Sequence, residues 1–96
     1  MLRSVQQLVE HALTGNPNTK RIGNHWCMRP RNMFYEFYYF NTCVCAADTA
    51  HLLVMFDNGG WGTSSTTRTI NSYRNAFTGF HEVSKQELYE RSRSHE

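Results

Sequence analysis

The residues of this chain best suited to chemistry are two short pairs, His25-Trp26-Cys27 and Cys43-Val44-Cys45. Residues two apart on a β-strand point to the same face. Each pair can therefore aim two donors at one point. If the two strands are neighbours, three sulfurs and one imidazole converge, and that set suits tetrahedral zinc. The expectation is a structural Zn2+ held by His25, Cys27, Cys43 and Cys45, with Asp48, His51 and His81 as spare ligands. A second reading stays open. Structural zinc more often uses Cys-x2–4-Cys spacing, and free cysteine behaves as a small buried hydrophobe.

Signals for catalysis are missing from the sequence. No His-Glu-x-x-His motif occurs, and the carboxylates are scattered. Gly59-Gly60-Trp61-Gly62 lacks the Gly-Lys-Ser/Thr of a phosphate loop. Ser, His and Asp are present without a nucleophile-elbow motif. The chain is not expected to be an enzyme.

The elements that must position these residues belong to one domain, because 96 residues support a single small core. Two Trp, five Tyr and six Phe supply most of that core. Leu2, Val5, Leu8, Val9, Ala12 and Leu13 form a helical stripe that Gly15-Asn16-Pro17 ends. A short strand is expected near 22–28, then a turn at Arg29-Pro30 and an aromatic, central strand from Met33 to Phe40. Strands over Thr42–Ala47 and His51–Phe56 follow, with a strong turn at Asp57-Asn58-Gly59-Gly60. Ser64, Ser65 or Thr66 caps a helix whose face carries Ile70, Tyr73 and Phe77. Phe80–Val83 reads as a short edge strand. Ser84 and Glu87 make a capping box for a last helix carrying Leu88, and 91–96 read as a polar, frayed tail. The predicted fold is α+β, an antiparallel sheet of about four strands covered by two or three helices.

Eight Arg and two Lys against eight acids give a net charge of +2. No apolar stretch approaches the roughly 18–20 residues of a membrane span, and the N-terminal residues have no signal-peptide core. The expected location is therefore the cytoplasm, where thiols stay reduced. The aromatic run Phe34–Phe40 beside Arg29 and Arg31 permits nucleic-acid stacking. The basic-Gly-aromatic pattern of an RNA-recognition strand is missing.

The stretch Asp57-Asn58-Gly59-Gly60-Trp61-Gly62-Thr63-Ser64-Ser65-Thr66-Thr67-Arg68-Thr69-Ile70-Asn71 resembles a family of small phage and prophage proteins with a Gly-Gly-Trp, Thr, Thr-Thr, basic, Ile-Asn signature. The likeness covers about residues 38–75. Within this stretch Gly59 and Gly60 are expected to turn the chain, Trp61 to anchor the loop into the core, and Arg68 to be exposed in the first turns of the helix. The size and possible zinc of the chain look like a type II anti-CRISPR protein that inhibits Cas9. That resemblance implies a stoichiometric inhibitor in the host bacterial cytoplasm. DNA mimics are strongly acidic, and a chain at +2 is not. The inhibitor would instead grip the recognition or nuclease lobe of Cas9 and block target-DNA loading or cleavage. The expected anchors are Arg21, Arg29, Arg31, Arg68 and Arg74, with Tyr38 and Trp61 set aside as buried. The alternative is a small phage nucleic-acid-binding or regulatory protein.

Overall fold

The computed structural model describes residues 2–30 and 34–93. Its elements are helix α1 (Arg3–Leu13), strands β1 (Lys20–Ile22), β2 (His25–Met28), β3 (Tyr35–Tyr39), β4 (Thr42–Asp48) and β5 (Leu53–Phe56), helix α2 (Ser64–Ala76), strand β6 (His81–Glu82) and helix α3 (Lys85–Arg93). The six strands form one sheet in sequence order. β1 to β5 are an antiparallel meander, and β6 joins β5 in parallel after a crossover through α2.

The α+β expectation holds, with more strands than expected. The segment near 22–28 is two strands, because Gly23-Asn24 makes a two-residue hairpin turn between Ile22 and His25. Gly23 supplies the left-handed φ of +62° that this turn uses. β5 starts at Leu53, so His51 lies in the turn before it. Met33, the expected start of the aromatic strand, lies outside the described residues, as do Arg31 and His95.

Two helices cover one face of the sheet and one covers the other. Val5, Leu8, Val9 and Ala12 are spaced to share one side of α1. They pack with Tyr73 of α2 and Phe77 at its C-terminal cap against Phe37, Val44, Cys45 and Val54. Leu13 faces outward instead of joining that stripe. Each buried Leu or Val here contributes about 1.5–3 kcal/mol by leaving water. On the opposite face Leu88 and Tyr89 of α3 meet Phe34, Ala46, Leu53 and Met55.

Thr63, one residue earlier than expected, caps α2 and accepts from the Thr66 amide at 3.3 Å. Ser84 caps α3 as expected, accepting from the Glu87 amide at 3.1 Å. The Glu87 carboxylate reaches forward to Arg91, 3.1 Å away, where a full capping box would have it reach back. The expected frayed tail is corrected in part. Arg91 to Arg93 continue α3, and Ser92 is buried.

Candidate functional site

The cysteine pairs do not form the expected clasp. β3 lies between β2 and β4, so the two strands are not neighbours. Cys27 pairs with Phe37, and Phe37 pairs with Cys45. The two cysteines are thus two strand spacings apart, roughly 10 Å, with Phe37 between them. Cys43 departs further. The register shifts between Phe37 and Tyr38, so Cys45 pairs with Phe37 while Cys43 pairs with Tyr38. Val44 is the extra residue of a β-bulge. The bulge cancels the alternation, putting Val44 and Cys45 together in the α1/α2 layer and Cys43 against the α3 layer. His25 stacks on Tyr39, ring centroids 5.0 Å apart.

Zn–S bonds are about 2.3 Å, and donors on opposite faces of one sheet cannot share one ion. The set His25, Cys27, Cys43 and Cys45 therefore does not fit a zinc site. Among the described residues no three His, Cys, Asp or Glu side chains gather to hold a metal. The core-cysteine reading fits Cys27 and Cys45, both fully buried. Burial pushes the Cys27 thiol up to about 11 and Cys45 well above its ordinary value. Half-buried Cys43 is pushed up to about 11 by burial, with Glu36 adding to it. Protonated thiols are poor nucleophiles.

Among the described residues the expected arginine anchors are dispersed and make no single patch. Arg21, on the edge strand β1, sits 5.2 Å over the Trp26 ring, and Arg29 sits 5.2 Å over Tyr35. Arg74 lies 4.4 Å over Phe56 and pairs with Glu82, at the other edge of the sheet. Arg68 is exposed on α2, as expected. Arg31 lies outside the described residues.

Asp48, His51 and Ser92 do meet, but in an order that forbids a catalytic relay. Asp48 is the centre. Its Oδ2 accepts from Ser92 Oγ at 2.7 Å and lies 2.6 Å from His51 Nδ1. A Ser-His-Asp triad needs the imidazole between the other two. Asp48 also accepts from the amides of Ala50 and His51 at 3.0 and 3.1 Å. Burial alone would raise its carboxyl, yet hydrogen bonds from His51 and Ser92 outweigh it and hold the group below its ordinary value. The cluster ties the β4–β5 turn to α3.

The feature that remains is a groove of about 390 Å³ between the β3–β4 hairpin and the start of α2. Trp61 forms one jaw. It is 60% exposed, which corrects the expectation of a buried anchor. The loop beneath it is fixed all the same. Gly59 and Gly60 accept their left-handed φ of +62° and +85°, and their amides bond Asp57 and Asn58 side chains at 2.9 Å each. A Cβ on Gly59 would stand 2.5 Å from Thr42 Cγ2, so the loop closes against β4 only with glycine there.

Phe40 forms the other jaw, 54% exposed and at φ +56° in the two-residue turn between Tyr39 and Thr42. That is glycine's place in a hairpin, and a bulky residue there costs about 1–3 kcal/mol. The neighbouring hairpin compels it. The Phe40 amide donates to Asn24 O at 2.8 Å, and its carbonyl accepts from Trp26 Nε1 at 2.6 Å. Tyr39, Thr63 and Ser65 line the cleft between the jaws. The Gly-Gly-Trp loop stood out in the sequence, but nothing there told an outward indole from an inward one. The only signal for Phe40 was its place between two strands. No family model, curated protein or solved structure matches the chain.

Proposed function

We propose that this protein is a non-catalytic binding module that docks a protein partner at the groove between Trp61 and Phe40. One observation carries the reading. Two large aromatic rings stand open to solvent across one cleft, and one is held there by a backbone conformation unfavourable to its own residue type. Strain that persists at an exposed ring points to use, and exposed aromatics are the usual anchors of protein interfaces. The finer reading is a phage-encoded inhibitor that binds Cas9 in the host cytoplasm, and it rests on the small size of the chain and the phage-protein resemblance over about residues 38–75. Zinc has no part in the proposal, and Arg68 is a secondary contact at most.

The test is gel filtration of the purified protein with guide-loaded Cas9 at moderate salt, alongside a target-cleavage assay. Co-elution and stalled cleavage, both lost in Trp61→Ala, are the expected results. Unimpeded cleavage with no complex would remove the Cas9 reading. A Trp61→Ala variant that captures the same host proteins as the parent would remove the groove.

A further inference from the structure

We infer that the groove takes an uncharged, proline-bearing segment of a protein partner in the extended polyproline II form. The inference rests on the docking reading above and adds the chemistry of the occupant. Its first support is charge. Every side chain lining the cleft is uncharged. A carboxylate, phosphate or ammonium entering it would give up water and meet no counter-charge. A nucleic-acid strand also needs cations along its track, and no lysine or arginine lines this one. The part of the partner inside the cleft is therefore neutral.

The second support is the form of chain that the cleft can satisfy. A peptide that adds a strand needs an open sheet edge. The cleft borders β3 and β4, which lie third and fourth of six strands and are paired on both sides. A chain terminus is captured by a nest of free backbone amides. The amides of Gly59 and Gly60 are already bonded to the Asp57 and Asn58 side chains. An amphipathic helix keeps its backbone bonds to itself. It would cover the Trp61 indole N–H and the side chains of Asn41 and Thr42 without pairing them. Among the described residues no protein group bonds these three, and polar groups covered but unpaired cost affinity. A polyproline II segment meets the same groups. It has no internal hydrogen bonds, so its carbonyls stay open to an indole N–H, an amide and a hydroxyl. Its proline rings suit a space between two aromatic walls, and Trp61 and Phe40 are such walls, both open to solvent. The segment is also ordered before it binds, which lowers the entropy lost on docking.

The test is selection of random dodecapeptides displayed against the full chain, counter-selected on Trp61→Ala. Enriched peptides should share prolines within a stretch free of charge. They should bind the parent about ten-fold more tightly than Trp61→Ala, and lose about as much when their prolines are replaced by alanine. Phe40→Gly should weaken them several-fold. A native circular dichroism spectrum and cooperative melting establish that each variant is folded. Consensus sequences without proline, a charge at the centre of the consensus, no enrichment over Trp61→Ala, or tighter binding of a dT12 oligonucleotide than of the best peptide would each overturn the inference. If Trp61→Ala loses its host partner while the selected peptides lack proline, the groove stands and the polyproline segment falls. If proline-bearing peptides are selected but Trp61→Ala keeps its host partner, the docking reading falls instead.

Discussion

Phe40 sets stability against use within one residue. Its φ of +56° suits glycine, and its ring stands mostly in water with an edge contact to Tyr39 at 4.7 Å. Phe40→Gly removes the steric strain and loses only this modest contact. Part of the gain is offset by the greater freedom of glycine in the unfolded chain. The expected result is a melting temperature equal to the parent's or a few degrees higher, since about 1 kcal/mol shifts a domain of this size by roughly 4–8 °C. Partner binding should fall at the same time, the trade expected where a strained residue serves function. Trp61→Ala should leave stability within about 0.5 kcal/mol, as exposed positions do, while abolishing binding. A fall in melting temperature of more than about 5 °C for either variant would make that ring a structural element and end its role as an anchor.

The bulge at Val44 matters most at the scale of elements, because it decides the fate of all three thiols. With Cys43 on one face and Cys45 on the other, the native protein should alkylate at Cys43 alone. Cys27 and Cys45 should react only on unfolding. The Cys43 rate should be slow at neutral pH and climb toward pH 11, where its thiol ionises. Peptide mass mapping after brief iodoacetamide treatment checks this, and chelator should leave the melting curve unchanged. Equal protection of all three thiols, released together by chelator, would restore the metal clasp.

Much of the element pattern was legible beforehand. The α1 stripe, the meander from Tyr35 to Phe56 and the Ser84 cap follow from local periodicity and turn chemistry, which the sequence carries directly. The bulge was not legible, because it depends on how Tyr38 and Cys43 pair across strands. The Gly23-Asn24 hairpin splits a segment whose periodicity reads as one strand, and its glycine is the local signal for the turn. The outward turn of Trp61 lay beyond local reading, since a Trp after two glycines fits either a core or a surface.

At the scale of the whole molecule, α3 brings few apolar side chains to the sheet. Leu88 is its fully buried hydrophobe. Two sheet carboxylates latch the rest. Glu36 accepts from the Tyr89 hydroxyl at 3.3 Å and from Tyr38 at 3.2 Å, while Asp48 accepts from Ser92 at 2.7 Å. Burial and Glu36 push both tyrosines up to about 12, so they remain donors through the working range.

The Asp48 latch gives the molecule a defined acid limb. A carboxyl whose folded pKa lies below its unfolded one contributes stability that is complete above the unfolded value. That contribution is lost as pH falls from about 4 through the lower folded value. Urea unfolding from pH 7 to pH 2 should therefore show a steep loss of stability below about pH 4, and Asp48→Asn should flatten it while lowering stability at pH 7. Ser92→Ala should cost about 1 kcal/mol and speed amide exchange in α3 ahead of β3 and β4, because it removes a tie from the helix and leaves the meander intact. Exchange that rises equally in α3 and the central strands would mean that α3 unfolds with the sheet as one unit, and the picture of a separately latched layer would not stand.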